Sequence, residues 1–108
     1  MADLLWNKAF AMEQTAGDEE LLNELLELFR DSAAADLEQL QQAVATNDPA
    51  GVVRAAHSLK GASASLGIEG IRQLVMAMET DGRNNSVTMA RNHLAVLTEL
   101  IGQLDSLR

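Results

Sequence analysis

The chain contains no cysteine, which excludes disulfides, thiolate chemistry and cysteine-ligated zinc and fits a reducing compartment. Proline occurs once and aromatic residues make up only 3% of the 108 positions. No stretch alternates apolar with polar residues, so strands are not expected. No apolar run approaches the ~20 residues that a membrane span needs. The opening MADLLWNKAF is too short and too polar for a secretory leader. Repeats, low-complexity tracts and linkers are absent as well, which predicts one domain over residues 1–108, large enough for a modest core. These absences together predict a cytoplasmic monomer without membrane insertion.

Positive charge is also scarce, with 8 basic against 16 acidic residues and a formal net charge of −8. An acidic chain is a poor partner for a phosphate backbone, so nucleic acid is not expected as a ligand. The imbalance is uneven. Residues 1–48 hold eleven acids and two bases, whereas residues 49–108 hold five acids and six bases.

What the sequence does contain is helical periodicity. A short apolar-rich helix is predicted from about Leu4 to Gln14. A second follows over about Glu19–Ala45, with Asp18 as its N-cap and Leu22, Leu25, Leu26, Phe29, Ala33, Leu37, Leu40 and Val44 along one face. Asp48 and Pro49 open a third, which reaches about Leu66, and Gly67 stops or bends it. A fourth runs over about Glu69–Thr80, and Gly82 in the turn after it suits a left-handed cap. The last, about Val87–Leu107, carries Ala90, Leu94, Leu97, Ile101 and Leu104. Long helices with short connections predict an all-α fold, an antiparallel up-down four-helix bundle with a short extra N-terminal helix.

One segment of the third helix, AAHSLKGASASLG at 55–67, is unlike the rest. With His57 at zero on a wheel of about 100° per residue, Val52, Ala55, Ala56, Leu59, Ala62, Ser63 and Leu66 fall between about 140° and 260°. They form the core side. Val53, Lys60, Gly61 and Ala64 fall within about 60° of His57, on the outer side. An exposed helical face ordinarily carries glutamate, lysine and glutamine; this one is small. Gly61 costs about 1 kcal/mol of helix propensity relative to alanine with no turn to serve, which suits the close approach of a partner. An exposed imidazole offers a nucleophilic ring nitrogen near neutral pH, and a lysine one turn away attracts an anion. Histidine as covalent nucleophile, with a cation for developing oxygen charge, suits phosphoryl transfer.

The motif HSLKGASASLG resembles the H-x-x-K-G pattern of the histidine-containing phosphotransfer (HPt) domain of two-component phosphorelays, matched by His57, Lys60, Gly61 and Gly67. GDEELLNELLELF is similar to the acidic, leucine-rich helix before the motif in that family, and LVMAMET, with Glu79, to the helix after it. The resemblance implies that His57 accepts a phosphoryl group from a receiver-domain aspartate and passes it to another, with Lys60 balancing its charge. It makes Val53, Gly61, Ala64 and Gly67 the partner-binding set, Gly67 also ending or bending its helix. Glu79 is assigned a structural rather than a chemical role. Response-regulator receiver domains are the implied partners, with a hybrid sensor histidine kinase as a further candidate. No cofactor is expected on this chain, and magnesium is expected on the receiver.

Three other readings compete. A histidine kinase would need an ATP-binding lobe and a glycine-rich nucleotide loop, so no phosphorylation from ATP is expected. A metal–carboxylate bundle would place glutamate three residues before histidine, but Arg54 precedes His57 and Ala90 precedes His93, so no metal is expected. His93 is expected to be a structural residue at the edge of its helix's apolar stripe. The third is a scaffold that binds a partner through the His57 face without chemistry.

Overall fold

The computed structural model describes residues 2–107, and among these the chain is helical, with no strand beyond an isolated bridge between Trp6 and Ile68. Its helices are α1 (Lys8–Gln14), α2 (Glu19–Ala45), α3 (Pro49–Ser65), α4 (Glu69–Arg83) and α5 (Thr88–Gly102), followed by a 3₁₀ turn over Gln103–Leu107. The caps follow local chemistry. Asp18 accepts from the Leu21 N–H and Asp48 from the Gly51 N–H, each satisfying a first-turn donor, and Pro49 opens α3 where its missing N–H costs nothing.

Helices α1 to α4 end in one geometry. Beyond α3, the Ile68 N–H reaches back to the Ser63 carbonyl at 2.9 Å and Gly67 takes the left-handed conformation, with φ of +69°. Ala16, Asn47 and Asn85 occupy the equivalent left-handed positions after α1, α2 and α4. Gly82 is therefore not the cap expected of it. It lies inside α4, whose extra turn runs to Arg83, and asparagine tolerates the left-handed conformation that follows.

The N-terminal expectation also changes. Residues 2–7 are not helical but cross the α3–α4 turn as a strap. The Asn7 N–H donates to the Gly67 carbonyl at 2.8 Å, the Gly70 N–H to the Leu4 carbonyl at 2.7 Å, and the Trp6 indole to the Leu66 carbonyl at 3.0 Å. These long-range bonds outcompete helix formation, and Asn7 instead caps α1 through the Phe10 N–H. At the other end, the predicted last helix tightens to a 3₁₀ turn after Gly102, which keeps Leu104 buried.

The core is contributed by every helix. Leu22, Leu26 and Leu40 from α2, Val52, Ala56 and Leu59 from α3, Ile71, Val75 and Met78 from α4, and Ala90 and Leu97 from α5 are at most 1% exposed. Full burial of an aliphatic side chain contributes about 1.5–3 kcal/mol, so α3 is anchored by its core side while its outer side is free for chemistry. Helix α3 packs against both α2 and α4, and α5 packs against α4 and α2. The α3–α4 contact is close because Gly82 has no side chain. A Cβ there would meet Val53 Cγ2 at 2.8 Å and the Pro49 carbonyl at 3.1 Å.

Candidate functional site

His57 projects from α3 with its side chain 64% exposed, as the wheel predicts. Its Nδ1 lies 2.8 Å from Oε2 of Glu79, which comes across from α4. That carboxylate is only 4% exposed and has two further partners, Lys60 Nζ on Oε1 at 2.6 Å and Arg83 Nη2 on Oε2 at 2.8 Å. The Lys60 hydrogen bond, with those of Arg83 and His57, outweighs burial and holds the Glu79 carboxyl down at about 2. Glu79 is thus ionised at neutral pH.

Ionisation fixes the imidazole. A carboxylate can only accept, so Nδ1 carries the proton and, in the neutral ring, Nε2 carries the lone pair. Among the described residues Nε2 has no hydrogen-bond partner, on a ring that faces solvent. The site presents an oriented nucleophile outward, with an anion behind it to balance charge that develops on the ring. Lys60 spends one donor on Glu79 and keeps others for an incoming anion.

The structure places the remaining predicted residues as follows. Gly61 is exposed, and a Cβ there would meet nothing within 4 Å, so the surface beside His57 is clear. Ala64 and Val53 are half-buried, Val53 leaning on α4 where Gly82 sits. Gly67 is a correction. It is buried, and a Cβ on it would meet the Asn7 carbonyl at 2.8 Å, so it has no free surface for a partner. Its role is the turn that sends α4 back along α3. His93 is half-buried and bonds through Nδ1 to the Met89 carbonyl at 3.0 Å, as a structural residue would. Among the described residues no group of three or more histidine, aspartate or glutamate side chains is placed to hold a metal.

Sequence reasoning missed how central Glu79 is, and missed Arg83. A signal for Glu79 was available. Ile71, Val75 and Met78 define the buried stripe of α4, and Glu79 continues it eight residues after Ile71. A carboxylate on an apolar stripe needs partners, and the outward-facing Lys60 of the neighbouring helix is one such cation. Arg83 had no such signal, because α4 was expected to end before it.

The family model of the Hpt domain matches residues 24–107, and the chain belongs to that family. It is therefore a histidine phosphotransfer domain of two-component phosphorelay signalling, which decides against the scaffold reading. Its fold is similar to that of the HPT domain from an Hpt sensor hybrid histidine kinase of Shewanella, known from a crystal structure, with a TM-score of 0.78 over 97% of this chain and 95% of that one. At 23% identity that likeness concerns the fold. No curated protein sequence matches the chain.

Proposed function

We propose that His57 is the phospho-acceptor, in a single domain whose α2 to α5 form an antiparallel up-down four-helix bundle with α1 as a short addition. The short connections, residues 46–48, 66–68 and 84–87, support that topology. The observation that carries the assignment is the exposed Nε2 of a ring held through Nδ1 by the buried Glu79 carboxylate.

The Nε2 lone pair attacks the phosphorus of a receiver's aspartyl phosphate. The P–O bond breaks, its electron pair returns to the receiver's carboxylate, and a P–N bond forms. Nδ1 keeps its proton, and the positive charge on the ring is balanced by Glu79. Lys60 meets the phosphoryl oxygens. Attack by a second receiver's aspartate reverses the step and passes the group on. Gly61, with Ala64 and Val53 beside it, gives the receiver room to close over His57. The chain binds no cofactor of its own, and magnesium is held by the receiver. It works as a cytoplasmic monomer; among the described residues no helix is long and apolar enough to cross a membrane.

The test is to mix the protein with a phosphorylated receiver and map the phosphate. Acid-labile, alkali-stable phosphate on Nε2 of His57 is expected, and none after incubation with ATP alone. Phosphate on another residue, or labelling by ATP without a partner, overturns the assignment.

A further inference from the structure

Three of the eight basic residues of this acidic chain lie on the two helices of the site: Arg54 and Lys60, three residues to either side of His57 on α3, and Arg83 on α4. Lys60 and Arg83 are bonded to Glu79, but Arg54 is not. Its contact is with Asp48, at 3.7 Å, between side chains that are 73% and 45% exposed. Such a surface pair holds its partners weakly. Arg54 stands three residues before His57 and about 60° from it on the outer face of α3. It plays no part in fixing the imidazole.

Beside it, where the start of α3 meets the end of α4, lies an open groove of about 530 Å³. Pro49, Ala50, Val53 and Gly82 give it an apolar lining, and Arg54 and Arg83 a basic one. Val53 is four residues from His57, about 6 Å along the helix. A docked protein covers roughly 800 Å² on each partner, a disc of about 16 Å radius. Any domain centred on His57 therefore lies over this groove. A receiver approaches with the carboxylates that take phosphate and hold magnesium, while this chain carries a net charge of −8. The basic groove supplies the local sign that such an encounter needs.

We propose that this groove receives an acidic segment of the receiver that exchanges phosphate with His57, with an apolar side chain of that segment on Val53 and its carboxylates on Arg54 and the outer N–H groups of Arg83. The proposal rests on His57 being the phospho-acceptor. A second groove, of about 480 Å³, lies on the opposite seam between α2 and α3, lined by Leu28, Ala62 and Ser65 among others, with Leu28 65% exposed. It is almost wholly apolar and has no charge to select an acidic partner, so it serves as the competing outcome.

The experiment follows association, without requiring transfer. The receiver of the source organism that binds the wild-type protein most tightly is immobilised, and association rates are measured by surface plasmon resonance across a salt series. Arg54→Glu is expected to slow association about tenfold at low salt, with the deficit closing as salt approaches about 0.5 M, and Arg54→Lys to restore most of the rate. Arg91→Glu, an equal change of net charge at an exposed position on α5, is expected to change it less than about twofold. An unchanged rate and salt slope for Arg54→Glu overturns the proposal, as does a loss confined to Leu28→Glu, which places the receiver on the other seam. A receiver that binds in an Arg54-dependent way yet leaves no phosphate on His57 overturns the acceptor assignment and leaves the groove standing.

Discussion

His57 on α3 and His93 on α5 both use Nδ1 for a hydrogen bond, but to partners of different kinds. His57 reaches the Glu79 carboxylate of the neighbouring helix at 2.8 Å, whereas His93 bonds to the Met89 carbonyl of its own helix at 3.0 Å. Both acceptors place the proton on Nδ1, so tautomer alone does not distinguish the two rings. The difference lies in charge and access. A neutral carbonyl cannot balance a ring that becomes cationic on phosphorylation, and Val96 and Leu97 stand where His57 has Lys60 and Gly61. The proposed phospho-acceptor has an anion behind its ring, a cation beside it and clearance in front. Among the described residues, only the α3–α4 seam brings all three to a histidine.

The largest expected effect tests that contrast directly. His57→Gln should abolish acid-labile labelling by a phosphorylated receiver, and His93→Gln should leave it intact; loss of label in the His93 variant would erase the distinction.

Next comes the anion behind the ring. Glu79→Ala should slow transfer about tenfold to a hundredfold, as loss of a carboxylate partner does for metal-bound histidines, and Glu79→Gln should recover much of the rate because its amide oxygen still accepts from Nδ1. The two variants separate holding the ring from balancing its charge. Stability gives a second readout. The folded-state value of Glu79, about 2, lies below its ordinary 4.5, so its contribution is complete above pH 4.5 and is lost as pH falls toward 2. That contribution is at most about 3 kcal/mol. Urea melts of wild type and Glu79→Gln should differ at pH 7 and converge near pH 2; parallel curves would show that the carboxylate is not held as described.

Lys60→Ala removes the neighbouring cation and should slow transfer about tenfold, the loss of one charge-assisted contact, measured in single-turnover reactions. The smallest effects belong to Gly61. Because nothing fills its Cβ position, Gly61→Ala should raise stability by up to about 1 kcal/mol in urea melts. Gly61→Gln should fold equally well yet slow transfer by crowding the receiver. Normal transfer in that variant would remove clearance from the comparison.

The parts of this molecule that could be read from the sequence are those set within about two helical turns. The apolar stripe of α2, the caps at Asp18 and Asp48, and the Gly67 stop all depend on neighbours three to six residues away. The exposure of His57 follows from the same 3.6-residue period. Sequence and structure part where a distant segment intervenes. Residues 2–7 are drawn out of a helix by the α3–α4 turn, and Gly67, small enough to suit a docking surface, is instead buried by that strap from sixty residues away. Gly82 suits a cap by its sequence position, but in the fold its missing side chain admits Val53.

By itself, then, the sequence determined the helices, the outward histidine with its lysine, and the cleared surface beside it, because each is a matter of angle around one helix axis. Only the tertiary structure decided that Glu79, twenty-two residues from His57, holds Nδ1, that Lys60 and Arg83 share that carboxylate, and that Arg54, paired instead with Asp48, lines a groove. Those facts depend on which residues of α4 come opposite α3, and that register is set by the Gly67 turn and the close approach at Gly82 rather than by any local pattern.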